Sequence, residues 1–430
     1  MPEKITLKDL DENQLKTTEV RNSETVVVCT CLDTDPTLEI MGYILEKYEK
    51  TIIDELVKMI KRINGYGGVI VMDSQNQPAI EAMKDAIAQN QTEVQLEIKL
   101  AERKMMLAEP SALISYLELG KALGFDYQSE TEKLTFKDRP VLIISGEALI
   151  NQDTDGIQNN PKIRCYQITG EGIGKCIVED RADLKISTLL EKNNINLESV
   201  KAVNVGGLCG QLLNRTGSEI AIDDNFSGSI QVLTEKNCMV DFLKNVLEIL
   251  KSESCGTCSL CRQGLLQIYF MIKDITAKKG RPNDVKDMLE IAEAIATTAN
   301  CDFGKNAAAL IISSVVNFED EFEKHIDRGR CDALVCKKMI TYHILGEKCQ
   351  GCGACISVCP HNAIAGSDKM IHVIDQEKCD QCGDCLSECI KAGYLAIVAA
   401  GGVKPKTPAE PVPVGSFKKQ GLGLRGKKKS

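Results

Sequence analysis

Two stretches near the end of the chain, "CQGCGACISVCP" and "CDQCGDCLSEC", repeat one cysteine spacing, C-x2-C-x2-C-x3-C. No other feature restricts the fold so tightly. A tetrahedral zinc takes two thiols from such a run and two from elsewhere, which here would strand four sulfurs. A cubic [4Fe-4S] cluster takes the first three thiols of one run and the last thiol of the other. That rule assigns Cys349, Cys352, Cys355 and Cys389 to one cluster, and Cys379, Cys382, Cys385 and Cys359 to a second. The crossing makes one compact unit of the two runs. Pro360 follows the first run, whereas Ile390 follows the second, which changes the turn and not the ligand count.

A third run, "ESCGTCSLCRQG", supplies Cys255, Cys258 and Cys261 and needs a fourth thiol from afar. Cys301 in "TTANCDFGKNAAA" is the candidate, in a loop between two helical stretches. The competing reading makes it a small buried apolar residue. Three clusters would use twelve of the 20 cysteines. Cys331 and Cys336, in "HIDRGRCDALVCKK", follow His325 and offer three of the four ligands of a structural zinc. Cys238 in "EKNCMVDF" is the choice for the fourth; the competing reading is two shielded thiols and a surface histidine. Cys29, Cys31, Cys165, Cys176 and Cys209 lie in strand-like or Gly-rich contexts and read as ordinary buried residues. His343, His361 and His372 have no partner identifiable from the sequence.

At 430 residues the chain is long enough for two to four domains. Its start, "MPEKITLKDLDENQLK", has no apolar signal region, so the thiols are expected to ligate metal in a reducing cytoplasm, that of an anaerobic prokaryote, and not to form disulfides. The longest apolar runs, such as "AAALIISSVV", fall short of the ~20 residues of a membrane span. A net charge of -9 gives no reason to expect nucleic-acid binding. From Val403 onward, however, eight Lys or Arg face Glu410 alone in a Pro- and Gly-containing tail. Such a tail is expected to be disordered or laid on a partner.

Periodicity divides the chain further into a multidomain α/β plus α protein. Residues 1–150 alternate β-rich runs ("TVVVCTCL", "GGVIVMD") with helical ones ("TLEIMGYILEKYEKTIIDELVKMIKRI"), the pattern of an α/β layer. Residues 151–235 suggest strand, strand, helix, strand, a ubiquitin-like β-grasp module. Residues 236–330 have apolar positions at helical spacing, a bundle that carries the third run. A zinc hinge over 331–346 leads to a two-cluster ferredoxin domain over 347–400, and 401–430 form the basic tail.

On these residues the chain resembles the NADH-oxidising flavoprotein subunit of respiratory complex I and the beta subunit of electron-bifurcating FeFe hydrogenases. The likeness runs from about Glu24 to Ala400 and is closest in "NCMVDFLKNVLEILKSESCGTCSLCRQG" and "CDFGKNAAALIISSVVNFEDEFEKHI". The following "RCDALVCKKMITYHILGEKCQGCGAC" is similar to the hydrogenase-type subunit, which appends a two-cluster ferredoxin. The resemblance implies one cluster on Cys255, Cys258, Cys261 and Cys301, and zinc on Cys238, His325, Cys331 and Cys336. It also implies a soluble-ligand-binding β-grasp domain around "VNVGGLCGQLL".

Three of the family's coenzyme motifs are eroded. No glycine precedes Thr25 where a Gly-rich loop would approach the flavin phosphate. In "CTCLDTDP", Asp33, Asp35 and Pro36 remain, but Leu32 stands where an acid is expected. In "LAEPSALISYLEL", Ala108 replaces a glycine, Glu109 stays, and Pro110 removes an acid and a backbone donor. The family's thioredoxin-like [2Fe-2S] extension is not expected in this chain.

Three functions follow. In the first, an electron-relay subunit with three [4Fe-4S] clusters, zinc and no FMN of its own conducts single electrons between a partner's flavin and another redox partner. The partners implied are a flavin- and NAD(P)H-binding subunit, a thioredoxin-like [2Fe-2S] or catalytic subunit, and free ferredoxin. In the second, the chain is itself an FMN-dependent, bifurcating NAD(P)H oxidiser. In the third, it is a non-redox assembly scaffold. One-electron cofactors suit conduction and not hydride chemistry, which favours the first.

Overall fold

A computed structural model describes residues 24–124, 134–151, 163–219, 227–402 and 404–417. They fall into two compact units: Met1–Thr234, Val246–Tyr269 and Met288–Asn317 in the first; Glu235–Asn245, Phe270–Asp287 and Phe318–Ser430 in the second.

The first unit opens with a doubly covered sheet. Strand β1 (Val26–Cys31) leads to α1 (Ile40–Ile63), β2 (Gly67–Asp73), α2 (Gln77–Asn90), β3 (Gln95–Ala101) and α3 (Pro110–Leu119). The short β4 (Thr135–Phe136), β5 (Arg139–Ser145) and α4 (Gly146–Ile150) complete it. The strand order is β3-β2-β1-β5-β4, parallel except for the β4–β5 hairpin. A central parallel strand is buried on both faces, which is why β1 reads as a continuous apolar run. Its alternate side chains Val27, Cys29 and Cys31 join the α1 face with Ile44, Ile52 and Leu56, while Val26 and Val28 join Leu113 and Ile114 of α3. Local chemistry starts the helices: Asn76 accepts the Ala79 amide at the head of α2, and Ser145 that of Ala148 at the head of α4.

A second sheet follows, made of β6 (Ile163–Gly170), β7 (Gly174–Arg181), β8 (Ala202–Val205), β9 (Gln211–Asn214) and β10 (Ser229–Leu233), with α5 (Ile186–Lys192) across it. Its order is β7-β6-β10-β8-β9, with β6 and β10 parallel and the other neighbours antiparallel. Tyr166, Ile168, Leu189, Leu190, Val203 and Ile230 form its core. Gln167 joins this sheet to the first layer: its Oε1 accepts the Glu39 amide at 2.8 Å and its Nε2 donates to Thr37 O at 2.9 Å.

Five helices carry the chain onward: α6 (Met239–Glu253), α7 (Ser259–Thr276), α8 (Asp284–Thr298), α9 (Asp302–Asn317) and α10 (Glu319–Arg328). The unit bounds fall within α6, α7 and α8.

The second unit ends in a small cysteine-rich fold. Strand β11 (Thr341–Ile344) is followed by α11 (Ala354–Ser357), β12 (Ile364–Ala365), β13 (Met370–Ile371), β14 (Val373–Ile374), α12 (Asp384–Lys391), β15 (Ile397–Ala400) and β16 (Val412–Pro413). Three antiparallel pairs, β11–β15, β12–β14 and β13–β16, enclose Ile344, Ile364, Ile371, Ile374 and Ile397. The expectation of a disordered tail from 401 is corrected here. Lys404–Phe417 forms a strap whose β16 pairs with β13, and Val412, Val414 and Phe417 pack on the same apolar core. Those apolar residues, spaced among prolines, outweigh the low complexity around them. Residues 418–430 lie outside the described residues.

Candidate metal centres

The third cysteine run sits at a helix junction in the first unit. Cys255 and Cys258 lie in the loop after α6, Cys261 is in the first turn of α7, and Cys301 immediately precedes α9. The loops are brought together by the Asn300 amide, which donates to Cys258 Sγ at 3.5 Å. Two glycines face the pair of buried sulfurs. A Cβ on Gly304 would lie 3.3 Å from Cys261 Sγ, and one on Gly124 would lie 3.6 Å from Cys301 Sγ. Burial pushes Cys301 up to about 11 and also raises Cys261. At Cys255 burial acts in the same direction, but hydrogen bonds from Thr257 and from the backbone at Gly124 outweigh it and leave that thiol below its ordinary value. Cys261 faces Cys258 and Cys255 electrostatically, and Cys301 faces Cys255 and Cys261. Backbone N–H groups aimed at sulfur suit thiolates bound to a cluster.

Behind these sulfurs stand acids that the family resemblance puts at a nucleotide site. Glu109 is buried, and its Oε2 accepts the Asp302 amide at 2.9 Å, anchoring the start of α9 beside Cys301. Asp33 accepts the Met41 amide on both oxygens, at 3.1 and 3.0 Å, and burial pushes its carboxyl up to about 6. Asp35 accepts Thr37 N and Oγ1 at 2.8 and 2.6 Å on Oδ1, and Leu208 N at 2.8 Å on Oδ2. All three acids hold backbone amides of this chain. The segment before Thr25, where a Gly-rich loop would stand, lies almost wholly outside the described residues.

Cys209 ends a 3-10 turn, Gly207–Cys209, that packs on α9. Burial raises its thiol, followed by the charges of Asp35, Cys261 and Cys301. It is thus a fifth thiol near the junction, which no local spacing announces. Cys29 and Cys31 are 3.6 Å apart within the core, and Cys165 is buried near them. Cys176 is half-buried on β7.

In the second unit, Cys238, His325, Cys331 and Cys336 are all buried, with their ligand atoms within 4.8 Å of one another. Cys238 Sγ lies 3.3 Å from His325 Nε2 and 3.8 Å from Cys336 Sγ, which is itself 3.5 Å from Nε2. His325 Nδ1 is 2.7 Å from Glu321 O, so it carries the proton and leaves Nε2 free for a metal. The Asp241 and Val335 amides donate to Cys238 and Cys331 Sγ at 3.4 and 3.5 Å. Hydrogen bonds from Cys238 and Cys336 hold Cys331 far below the thiol range. Three thiols, an imidazole fixed in the right tautomer and a closed, buried geometry fit a structural zinc.

The two C-terminal runs interlock. Glycines at positive φ, Gly353 (76°) and Gly383 (85°), start α11 and α12 and so aim Cys355 and Cys385 inward. Burial pushes Cys355 up to about 12, and the thiols that raise it further are Cys349, Cys385, Cys352 and Cys389. For Cys385, pushed up to about 11 by burial, they are Cys379, Cys382 and Cys359. Cys389 therefore faces the first run and Cys359 the second. The Ala363 and Ala396 amides donate to Cys359 and Cys389 Sγ, each at 3.3 Å.

The histidines without an assigned partner have partners in the fold. His343 Nε2 lies 2.8 Å from Thr341 Oγ1, and exposed His361 bonds Asp380 at 3.0 Å. His372 Nδ1 lies 3.3 Å from Cys355 Sγ, a contact between positions 17 residues apart that spacing alone does not reveal.

Residues 241–325 match the family described as the NADH-ubiquinone oxidoreductase-F iron-sulfur binding region, and residues 341–392 match the 4Fe-4S dicluster domain. The chain is 36% identical over 184 residues to the NADP-reducing hydrogenase subunit HndC of Solidesulfovibrio fructosivorans, covering 41% of this chain and 38% of that one. It is 26% identical over 205 residues to the F subunit of NADH-quinone oxidoreductase from Streptomyces coelicolor, covering 44% and 46%. Each alignment thus spans less than half of the curated relative. The fold is similar to that of the NAD+-reducing [NiFe]-hydrogenase in its H2-reduced state, with a TM-score of 0.63, 20% identity, and 71% of this chain and 57% of that chain covered. No helix among the described residues is long and apolar enough to cross a membrane.

Proposed function

From a chain homologous to HndC and to the F subunit of NADH-quinone oxidoreductase, with a dicluster domain after its iron-sulfur region, we propose an electron-relay subunit of a multi-subunit oxidoreductase. Its α/β and β-grasp parts serve as scaffold, and partner subunits hold the flavin and accept or supply hydride. The observation that carries this reading is the nearness of cysteines from separate stretches, Cys301 to Cys255 and Cys261, Cys355 to Cys349, Cys352 and Cys389, and Cys385 to Cys379, Cys382 and Cys359, with a backbone N–H aimed at Cys258, Cys389 and Cys359. Cys255, Cys258, Cys261 and Cys301 hold one [4Fe-4S] cluster. Cys349, Cys352, Cys355 and Cys389 hold the second, and Cys379, Cys382, Cys385 and Cys359 the third. Bound there, such clusters supply one-electron transfer at potentials that the surrounding hydrogen bonds tune. Cys238, His325, Cys331 and Cys336 hold zinc, which ties the start of α6 to the segment after α10.

The flavin-free part of the proposal rests on Asp33, Asp35 and Glu109, which spend their carboxylates on the chain's own amides. It rests equally on the residues before Thr25, which contain no glycine. An FMN phosphate without facing N–H groups forgoes several charge-assisted bonds, each worth ~1.5–3 kcal/mol. The test is anaerobic purification followed by metal analysis, EPR after dithionite, and acid release of flavin. About twelve irons and one zinc per chain with no flavin fluorescence is the expected result. Stoichiometric FMN would overturn the flavin-free reading, and iron-free protein would overturn the relay.

A further inference from the structure

One of the four histidines reaches a proposed cluster ligand. His372 follows β13 and is 1% exposed, with Nδ1 3.3 Å from Cys355 Sγ and Nε2 3.3 Å from the carbonyl oxygen of Ser367. Space for the ring exists only because residue 366 is glycine. Its φ is +147°, and a Cβ there would sit 2.1 Å from His372 Cδ2. The strand that delivers the ring, β13, is pinned by β16 of the strap. The second set has a different aromatic neighbour. Tyr342 is raised by burial and then by Cys385, Cys382 and Cys379, and its hydroxyl lies against Gly383.

We propose that His372 donates its Nδ1–H to the Cys355 thiolate and thereby makes the two C-terminal clusters unequal, raising the potential of the one held by Cys349, Cys352, Cys355 and Cys389. This rests on the reading of the two runs as cluster ligands. A neutral imidazole has one N–H, and both groups beside this ring are acceptors. The metal-bound thiolate carries charge and the carbonyl does not, so the proton-bearing nitrogen is the one facing sulfur. An N–H directed at a ligand sulfur withdraws negative charge and favours the reduced state, in which that charge is greater. Burial strengthens the bond by excluding water. The result is a built-in slope between the two clusters: an electron shared by the pair resides on the one beside His372.

The test is a potentiometric EPR titration of the full chain, purified anaerobically with its iron counted, for wild type, His372→Leu and His372→Asn. His372→Leu is expected to weaken reduction of one C-terminal cluster about tenfold, a shift of about 59 mV for a one-electron couple. The other C-terminal cluster and the bundle cluster stay unchanged. His372→Asn, whose amide N–H can replace Nδ1–H, restores most of the shift. Unchanged potentials, or equal shifts in the Leu and Asn variants, would overturn the donor role. Should the Leu variant lose iron, electron-nuclear double resonance on reduced wild type grown with 15N-histidine decides the matter. A 15N coupling to one cluster that disappears in His372→Asn supports the donor, and the absence of any such coupling refutes it. Wild-type protein lacking iron at these thiols would sink the ligand reading itself, whereas full iron with unshifted potentials sinks only the role of His372.

Discussion

Asp33 turns both carboxylate oxygens to the Met41 amide while its surroundings exclude water, and the two effects pull its ionisation in opposite directions. Burial wins, placing the folded-state value at about 6 against about 3.9 in the unfolded chain. Below the unfolded value neither state is charged. As pH rises from there, the unfolded chain ionises first, so stability falls until the folded value is passed and is flat beyond it. The accumulated penalty is about 3 kcal/mol at neutral pH and about half that at pH 5. Asp33→Asn keeps an acceptor for Met41, so it is expected to raise the thermal midpoint of the holoprotein at pH 7 more than at pH 5. A gain independent of pH would contradict this origin. Two cysteines offer a sharper contrast. Cys301→Ala should remove about a third of the iron, whereas Cys209→Ala, close to the same junction, should remove none. Nothing around "GGLCGQ" reveals that Cys209 lies near Cys261 and Cys301, because α9 brings them together only in the fold.

Among the elements, α11 and α12 show why the cysteine runs could be read in advance. A C-x2-C-x2-C turn leading into a helix start sets the direction of its sulfurs; the fourth cysteine is carried by α12 itself in the second run and follows the end of α11 in the first. If the crossing governs ligation, Cys389→Ser impairs the cluster of the first run and Cys359→Ser that of the second. Two distinct EPR losses are expected, and the same loss from both substitutions would contradict the crossing. The buried group of Cys238, His325, Cys331 and Cys336 was legible for a similar reason, three of its members lying within twelve residues at and after the end of α10, although Cys238 comes from far upstream. His325→Ala should release zinc and leave iron intact, as checked by metal analysis. The strap was not legible. A two-residue strand is too short to carry a period, and β16 exists because β13 offers it an edge and the ferredoxin core offers a place for Phe417 beside Gly346. Truncation after Gly402 should therefore lower the thermal stability of this part of the chain, the first observable being faster bleaching of its visible absorption on warming.

At the scale of the whole molecule, the alternation of apolar strands and periodic helices showed the layered α/β architecture. The parallel β1 and β2 and their covering helices leave that pattern in the sequence. What the sequence could not show was which groups its buried acids hold. The family resemblance puts Asp35 and Glu109 at a nucleotide site, but only the fold reveals the amides they hold, Leu208 N and Asp302 N. On the flavin-free proposal, replacing either costs stability without altering flavin content, as thermal melts and acid release of flavin would record.

The interlocked C-terminal runs also set a timetable. On the ligand sets proposed above, a chain emerging from the ribosome completes the four sulfurs of the bundle at Cys301 and the zinc set at Cys336. The second ferredoxin set, opened at Cys359, closes at Cys385, and the first, opened ten residues earlier at Cys349, closes only at Cys389. On the crossed assignment proposed above, neither ferredoxin cube can be inserted until the second run has left the ribosome, well after the thiols of the first run have appeared.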